Sequence, residues 1–380
     1  MEDIKMSEKS RLFVLGAQDP EMVAIENLLR ACGEKIAFAC DKNHGRVHPG
    51  NAYKAAGALD DGDQFCQIPG EDEVVLVECR FDDRHPLQPG QVSVYTDPQA
   101  GGPVYFPSSG AEEYYGDQAV SVVDHHRPGD PGYGRDAEEF LPSSSVGQIV
   151  SLLVKEGGWP AERGWEYRPQ RHNLRPAGEF YELPEDGQWV VAGASALGNY
   201  YGVVPNNLLF AAAADHCLGS AYRGKCPGVD PDGLMRWRVE TRAAFQKRTV
   251  EAVLADVEAA RKRLRYSVAQ WTCPECGGSK FDPATGTETC HYCDGNGGGG
   301  PYEVARFDGM PIIPELPEAA AREGIPFVAT VRDQDGREKV VLQAASPELV
   351  RRFLVGEIIT GLTGLYGDPA RGFAGGYVAK

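Results

Sequence analysis

Short apolar runs and helix-period stretches alternate through the first half of the chain. RLFVLG reads as a buried strand, and PEMVAIENLLRACG, with apolar residues at helical spacing, reads as a helix closed by Gly33. KIAFAC, EVVLVEC and AVSVVD read as further buried strands. SSSVGQIVSLLVKEGG reads as a helix, because a serine cap precedes its apolar face and glycines follow its end. QWVVAGASAL predicts another strand, and LLFAAAADHCLGSAYRG an alanine-rich buried helix. Strands alternating with helices predict an α/β fold built on a doubly wound, mostly parallel sheet. From about Leu234 to Tyr266 a charged amphipathic pattern predicts one long helix, with Val239, Phe245, Val250, Leu254, Val257 and Leu264 on one side. The tail predicts a second, smaller α/β domain. FVATVRDQDGREKVVLQA has two β-rich runs around Asp-Gly, PELVRRFLVGEIITGL reads as a helix, and YGDPARGFAGGYVAK closes the chain.

Composition narrows the picture. A chain of 380 residues favours two or three domains. The net charge of -17 opposes sequence-blind capture of long DNA or RNA, which needs many Lys and Arg contacts to phosphate. A nucleotide polymer used as substrate is therefore expected to be short. No stretch has the apolar length of a membrane span, and MEDIKMSEKS lacks the charge-then-apolar pattern of a secretion signal, so a cytoplasmic protein is expected. Six of the ten cysteines are scattered without common spacing and are expected to be reduced and mostly buried.

The candidate chemistry begins at Asp124-His125-His126, directly behind the apolar run Ala119 to Val123. A carboxylate and two imidazoles delivered together at the carboxyl end of a buried strand form part of a divalent-metal site. Further acids follow other strands. Asp19 and Glu21 flank a proline after the first, Glu78 lies near the end of EVVLVEC, and Asp215 lies in AAAADHCLGSAY. Acids in a first helical turn also complement the helix dipole without any metal, which is the other reading of Asp19 and Glu21. The loop CDKNHGRVHPGNAYKAAG adds Asp41, His44, Arg46 and His48, either as ligands and substrate contacts or as a polar surface loop.

The string AVSVVDHHRPGDPGY resembles the signature of the DHH phosphoesterases, metal-dependent phosphoester hydrolases that include RecJ-type exonucleases and nanoRNases. The resemblance departs from the family pattern at Gln18, in place of a histidine, and at Glu21 and Glu78, in place of aspartates. It implies two divalent ions, Mn2+ or Mg2+, held by Asp19, Glu21, Glu78, Asp124, His125 and Asp215, with His126 on the scissile phosphate. GDPARGFAGGYV resembles the glycine-rich loop of the accompanying DHHA1 domain, and that resemblance implies a substrate phosphate held by Arg371, Gly372, Gly375 and Gly376; a turn into a last strand is the other reading.

Cys273-Pro-Glu-Cys276 and Cys290-His-Tyr-Cys293 place two thiolates on each of two tight turns, which satisfies a tetrahedral structural Zn2+. The expected organisation is a DHH-type domain over residues 1–235, a linking helix over 236–268, a zinc ribbon over 269–300 and a DHHA1-like domain over 301–380. The expected function is a cytoplasmic two-metal phosphodiesterase that cleaves short oligonucleotides or linear or cyclic dinucleotides to mononucleotides. A nucleotide-binding sensor without turnover, a nucleic-acid-complex subunit and a RecJ-like exonuclease are the alternatives. The zinc lobe is a candidate contact for nucleic acid or protein, and a homodimer is a further candidate assembly.

Overall fold

The computed structural model describes residues 11–40, 46–47, 57–59, 73–79, 93–94, 104–105, 113–115, 118–126, 128–155, 167–169, 176–183, 188–195, 198–269, 304–307, 313–332 and 336–379. The four zinc-candidate cysteines, and Asp41, His44 and His48, lie outside them. The chain divides into two compact units, Met1–Arg135 with Glu139–His216, and Asp136–Glu138 with Cys217–Lys380. The division therefore falls at His216, not near the expected boundary at residue 235.

The first unit opens with β1 (Arg11–Leu15), α1 (Pro20–Cys32), β2 (Lys35–Cys40), β3 (Gly57–Leu59) and β4 (Glu73–Val77). A two-stranded pair, β5 (Ser93–Val94) and β6 (Val104–Tyr105), precedes β7 (Glu113–Tyr115) and β8 (Gln118–Val123). Six of these strands form one sheet in the order β3-β2-β1-β4-β8-β7. Its four central strands are parallel, and the edge strands β3 and β7 are antiparallel to their neighbours. From β1 the chain steps through α1 to β2 on one side, and β4 then pairs with the other side of β1. The strand order thus reverses between β1 and β4, the place where open α/β sheets bind ligands beyond the carboxyl ends of their strands.

The apolar runs build this unit as expected. Phe13, Val14, Leu15, Val74, Val75 and Val77 are fully buried in the sheet, and Met22, Ile25 and Leu29 of α1 are equally buried. Each such side chain contributes roughly 1.5–3 kcal/mol relative to an exposed one. After the sheet come α2 (Phe140–Ser143) and α3 (Ser145–Lys155), which packs against α1. Ser144 caps α3 by accepting the Gly147 N–H on its Oγ at 3.1 Å. The strand expected in QWVVAGASAL forms at Trp189–Ser195, and it lies outside the parallel sheet, since Gly198–Val203 follows at once and pairs with it antiparallel. With β9 (Tyr167–Pro169), β10 (Phe180–Glu182), β11 (Trp189–Ser195) and β12 (Gly198–Val203), a separate four-stranded sheet forms in the order β10-β11-β12-β9. The alanine-rich α4 (Asn206–Ala221) follows.

The second unit contains α5 (Pro231–Gln246), α6 (Val250–Ala269), β13 (Ala305–Phe307), α7 (Leu316–Glu323), β14 (Phe327–Arg332), β15 (Glu338–Gln343), α8 (Pro347–Leu354), β16 (Leu362–Asp368) and β17 (Phe373–Val378). Its mixed sheet runs β13-β14-β15-β17-β16, and β14 and β15 pair antiparallel around the Asp-Gly turn signal. Its apolar clusters among the described residues include one around Leu342, Leu349 and Phe353, one around Leu264, Phe307 and Phe327, and a smaller one of Val239, Ala243 and Val253. Buried Glu318 of α7 accepts hydrogen bonds from Tyr222 Oη, Arg238 Nε and Arg322 Nε, tying Tyr222 and α5 to α7 within this unit.

The single long helix expected from Leu234 to Tyr266 is two helices. Lys247 adopts φ 53°, a left-handed conformation that ends α5, and Thr249 Oγ1 accepts the Ala252 N–H at 3.2 Å to start α6. The break changes the register of the apolar stripe. Val239, Val257 and Leu264 are buried, whereas Phe245 and Leu254 are about half exposed. Among the described residues no helix is long and apolar enough to cross a membrane.

A side chain in the left-handed region costs energy that glycine avoids, about 1 kcal/mol. Lys247→Gly is therefore expected to raise the urea midpoint of unfolding by an amount equivalent to roughly 0.5–1 kcal/mol. A lowered midpoint would contradict the left-handed helix end.

Candidate metal centre

The site forms beyond the carboxyl ends of β1, β4 and β8, at the reversal of strand order. Gly16 follows β1 and approaches the Glu78 backbone so closely that a Cβ there would lie 2.5 Å from the Glu78 carbonyl oxygen. Glu78 follows β4 with φ 50°, a conformation that costs a non-glycine residue of order 1–3 kcal/mol and marks a locally imposed geometry. Asp124, His125 and His126 follow β8 directly.

Asp124 is completely buried and organises its own turn. Its Oδ1 accepts the His125 N–H at 2.7 Å, the His126 N–H at 3.1 Å and the His126 Nδ1–H at 2.8 Å. Burial pushes its pKa up, but the His126 hydrogen bond and the nearby imidazoles outweigh this and hold it at about 2. Because a carboxylate only accepts, His126 carries its proton on Nδ1, and a neutral ring then presents its Nε2 lone pair. Gln148 Nε2 donates to the Asp124 carbonyl at 3.0 Å and fixes the turn against the start of α3.

His125 is the centre of the arrangement. Its Nε2 lies 2.8 Å from Asp215 Oδ2, 3.5 Å from Glu78 Oε1 and 3.9 Å from Glu21 Oε2. Its other nitrogen, Nδ1, lies 2.9 Å from His216 Nδ1, and His216 Nε2 lies 3.0 Å from the Arg135 carbonyl oxygen. Glu21 comes from the first turn of α1, where its Oε1 accepts the Val146 N–H at 3.0 Å. Glu21 Oε2 and Glu78 Oε1 are buried and have no hydrogen-bond partner. Burial and the negative charges of Asp215, Glu78 and Asp19 drive the Glu21 carboxyl well above its ordinary pKa; the Val146 N–H pulls weakly the other way.

This donor set fits a cation. Glu78, His125, His126 and Asp215 each offer one ligand atom, and those four atoms lie within 4.8 Å of one another, so the group can hold a metal ion. Hard carboxylate oxygens with imidazole suit a divalent ion, and the orphaned glutamate oxygens are the groups such an ion would satisfy. The residues singled out from the sequence divide accordingly. Glu78, His125, His126 and Asp215 come together, and Glu21 borders them. Asp19 caps α1, accepting the Met22 N–H on Oδ1 at 2.7 Å, and is not part of the four-residue group. Asp124 is also outside that group, and its Oδ1 is engaged with the N–H groups of its own turn.

The carboxy-terminal glycines sit differently from an open phosphate loop. Gly375 and Gly376 lie inside β17, paired with Val341 and Val340 of β15. A Cβ on Gly375 would strike the Tyr366 ring, and one on Gly376 would strike Leu365 and Leu362, so close packing accounts for both glycines. Gly372, with φ 74°, turns the chain into β17, and Arg371 stacks its guanidinium over the Phe373 ring at 5.1 Å. Among the described residues, Cys32, Cys40, Cys79, Cys217 and Cys226 form no disulfide, and all but Cys32 are buried.

Sequence reasoning missed His216 as a site residue. Its only signal was adjacency to Asp215, and adjacent positions on a regular helix diverge by about 100°. No family model matches this chain, and neither a curated protein nor a solved structure matches it.

A carboxyl whose pKa is raised in the folded state contributes stability below its unfolded value near 4.5, and that contribution is lost as pH rises. Glu21→Gln keeps the acceptor for Val146 and removes the charge. In EDTA its stability advantage over the wild type is expected to be larger at pH 8 than at pH 5, read by urea denaturation. An advantage that is equal at both values would contradict the charge repulsion assigned to Glu21.

Proposed function

We propose that this chain is a divalent-metal-dependent phosphodiesterase of the DHH kind. The observation that carries the reading is the convergence of three carboxylates, Glu21, Glu78 and Asp215, on Nε2 of His125, with two buried glutamate oxygens left without hydrogen-bond partners. Glu78, His125, His126 and Asp215 would hold the ion. The resemblance of the Asp124-His125-His126 string to the DHH signature supports the reaction class and the use of two ions, Mn2+ or Mg2+; a second ion would draw on Glu21, Asp19 and Asp124.

Bound divalent ions supply a water of lowered pKa and a positive charge against the phosphoryl oxygens. The chain's own groups do the rest. Asp124 fixes the His126 ring by taking its Nδ1 proton, and the quarter-exposed His126 side chain is the part of the cluster most open to an incoming phosphate. Glu21, held by Val146 through Oε1, keeps its Oε2 beside the ligand cluster, where a bound cation would favour its ionised form. Short oligonucleotides or linear or cyclic dinucleotides are the favoured substrates, because the net charge of -17 opposes long-strand binding. In this reading the second unit is a DHHA1-like domain whose Arg371 and Gly372 take a distal phosphate, and Cys273, Cys276, Cys290 and Cys293 hold a structural Zn2+.

Purified protein with Mn2+ is expected to release mononucleotides from labelled dinucleotides or short RNAs. Asp215→Asn is expected to lose more than about 100-fold of that rate, since even groups outside the first ligand set are worth 10–100-fold. Retained nucleotide binding without turnover would favour a sensor, which is the outcome that Gln18 and the Glu78 substitution leave open. Turnover restricted to long single strands, with steep salt dependence, would favour an exonuclease. Elemental analysis is expected to find about one zinc per chain that survives mild EDTA; a preparation without zinc, and unchanged by Cys273→Ser, would remove the ribbon.

A further inference from the structure

We infer that His216 is a positioning residue, one that fixes the tautomer of His125 and so turns its Nε2 lone pair toward Glu21, Glu78 and Asp215. The inference rests on the metal-site reading above but has a test of its own. The proton positions follow from the acceptors. A carbonyl oxygen can only accept, so the 3.0 Å contact between His216 Nε2 and the Arg135 carbonyl places a proton on that nitrogen. His216 is completely buried, which favours its neutral ring, and a neutral ring protonated on Nε2 carries a lone pair on Nδ1. The 2.9 Å contact between the two Nδ1 atoms then requires His125 to donate. With its proton committed there, a neutral His125 ring turns its Nε2 lone pair toward the three carboxylates; the 2.8 Å contact with Asp215 Oδ2 lacks hydrogen-bond geometry, unlike that of His126 with Asp124, and suits two ligands of one cation.

The arrangement parallels the other half of the site. His126 is oriented by the Asp124 carboxylate, and His125 by a backbone carbonyl acting through an intervening imidazole. Groups that take the far N–H of a ligand histidine set its orientation and strengthen it as a donor. Cys217 leaves helical geometry, with φ -154° and ψ 47°, immediately after His216. Asp215 and His216, although consecutive, reach the two different nitrogens of one His125 ring.

Two measurements test this. In metal-free protein labelled with 15N-histidine, NMR is expected to show His125 protonated on Nδ1 and His216 unprotonated on Nδ1, with scalar coupling across the hydrogen bond that joins them. His125 unprotonated on Nδ1 would overturn the inference, and this readout needs neither a variant nor a bound ion. In parallel, Mn2+ affinity is measured by calorimetry for His216→Asn and His216→Phe. Asparagine can accept the His125 proton through its Oδ1 and is expected to stay within a few-fold of the wild type; phenylalanine, which cannot accept, is expected to bind 10–100-fold more weakly. Equal affinities for the two variants would overturn the inference. Should the wild type take up no divalent ion, the hydrolase reading fails, and the spectra alone decide the tautomer.

Discussion

Three carboxylates and one imidazole edge share a buried volume at the end of the parallel sheet, and the strongest charges acting on Glu21 are all negative. Buried charge of one sign is costly unless it is neutralised or paired. In the absence of a cation the cost falls on Glu21, whose pKa it raises well above the ordinary value, and a bound divalent ion would offset it. The strained backbone at Glu78, the Asp124-centred turn and the helix break after His216 all serve to bring these groups to one point. Stability and ligand binding are therefore opposed in the metal-free protein and aligned in the metal-bound one.

The sheet explains why the groups meet here. Parallel strands deliver their following residues to the same end, and reversal of strand order between β1 and β4 opens a gap over that end. Glu21, Glu78 and His125 converge because each follows a strand of this one sheet, and Asp215 reaches the same point from α4. The antiparallel sheet built from β9 to β12 is a separate layer that ends at the entry to α4, the helix that supplies Asp215 and His216.

Much of this was legible in the sequence. Continuous apolar runs marked all four central strands, and Asp124-His125-His126 marked the end of one of them. What the sequence could not separate was the work done by each acid. Asp19 and Glu21 differ by two positions, yet a helix cap claims the first and the site the second, because only backbone geometry shows which N–H each carboxylate meets. Asp124 looks like a ligand from its neighbours but spends Oδ1 on three local N–H groups. His216 was invisible because its role depends on a contact with His125, 91 positions away, that no local signal announces. The helix end at Lys247 escaped for a similar reason, as lysine is an uncommon choice for a left-handed position. The carboxy-terminal glycines carried two meanings in sequence, and the rings and side chains packed on Gly375 and Gly376 explain them without a ligand.

The most direct test of the central claim is anomalous diffraction at the manganese edge from crystals grown with Mn2+. The account expects a peak about 2 Å from His125 Nε2 and from carboxylate oxygens of Glu78 and Asp215. A well-ordered site with no anomalous peak, and with His125 Nε2 donating directly to Asp215, would contradict it.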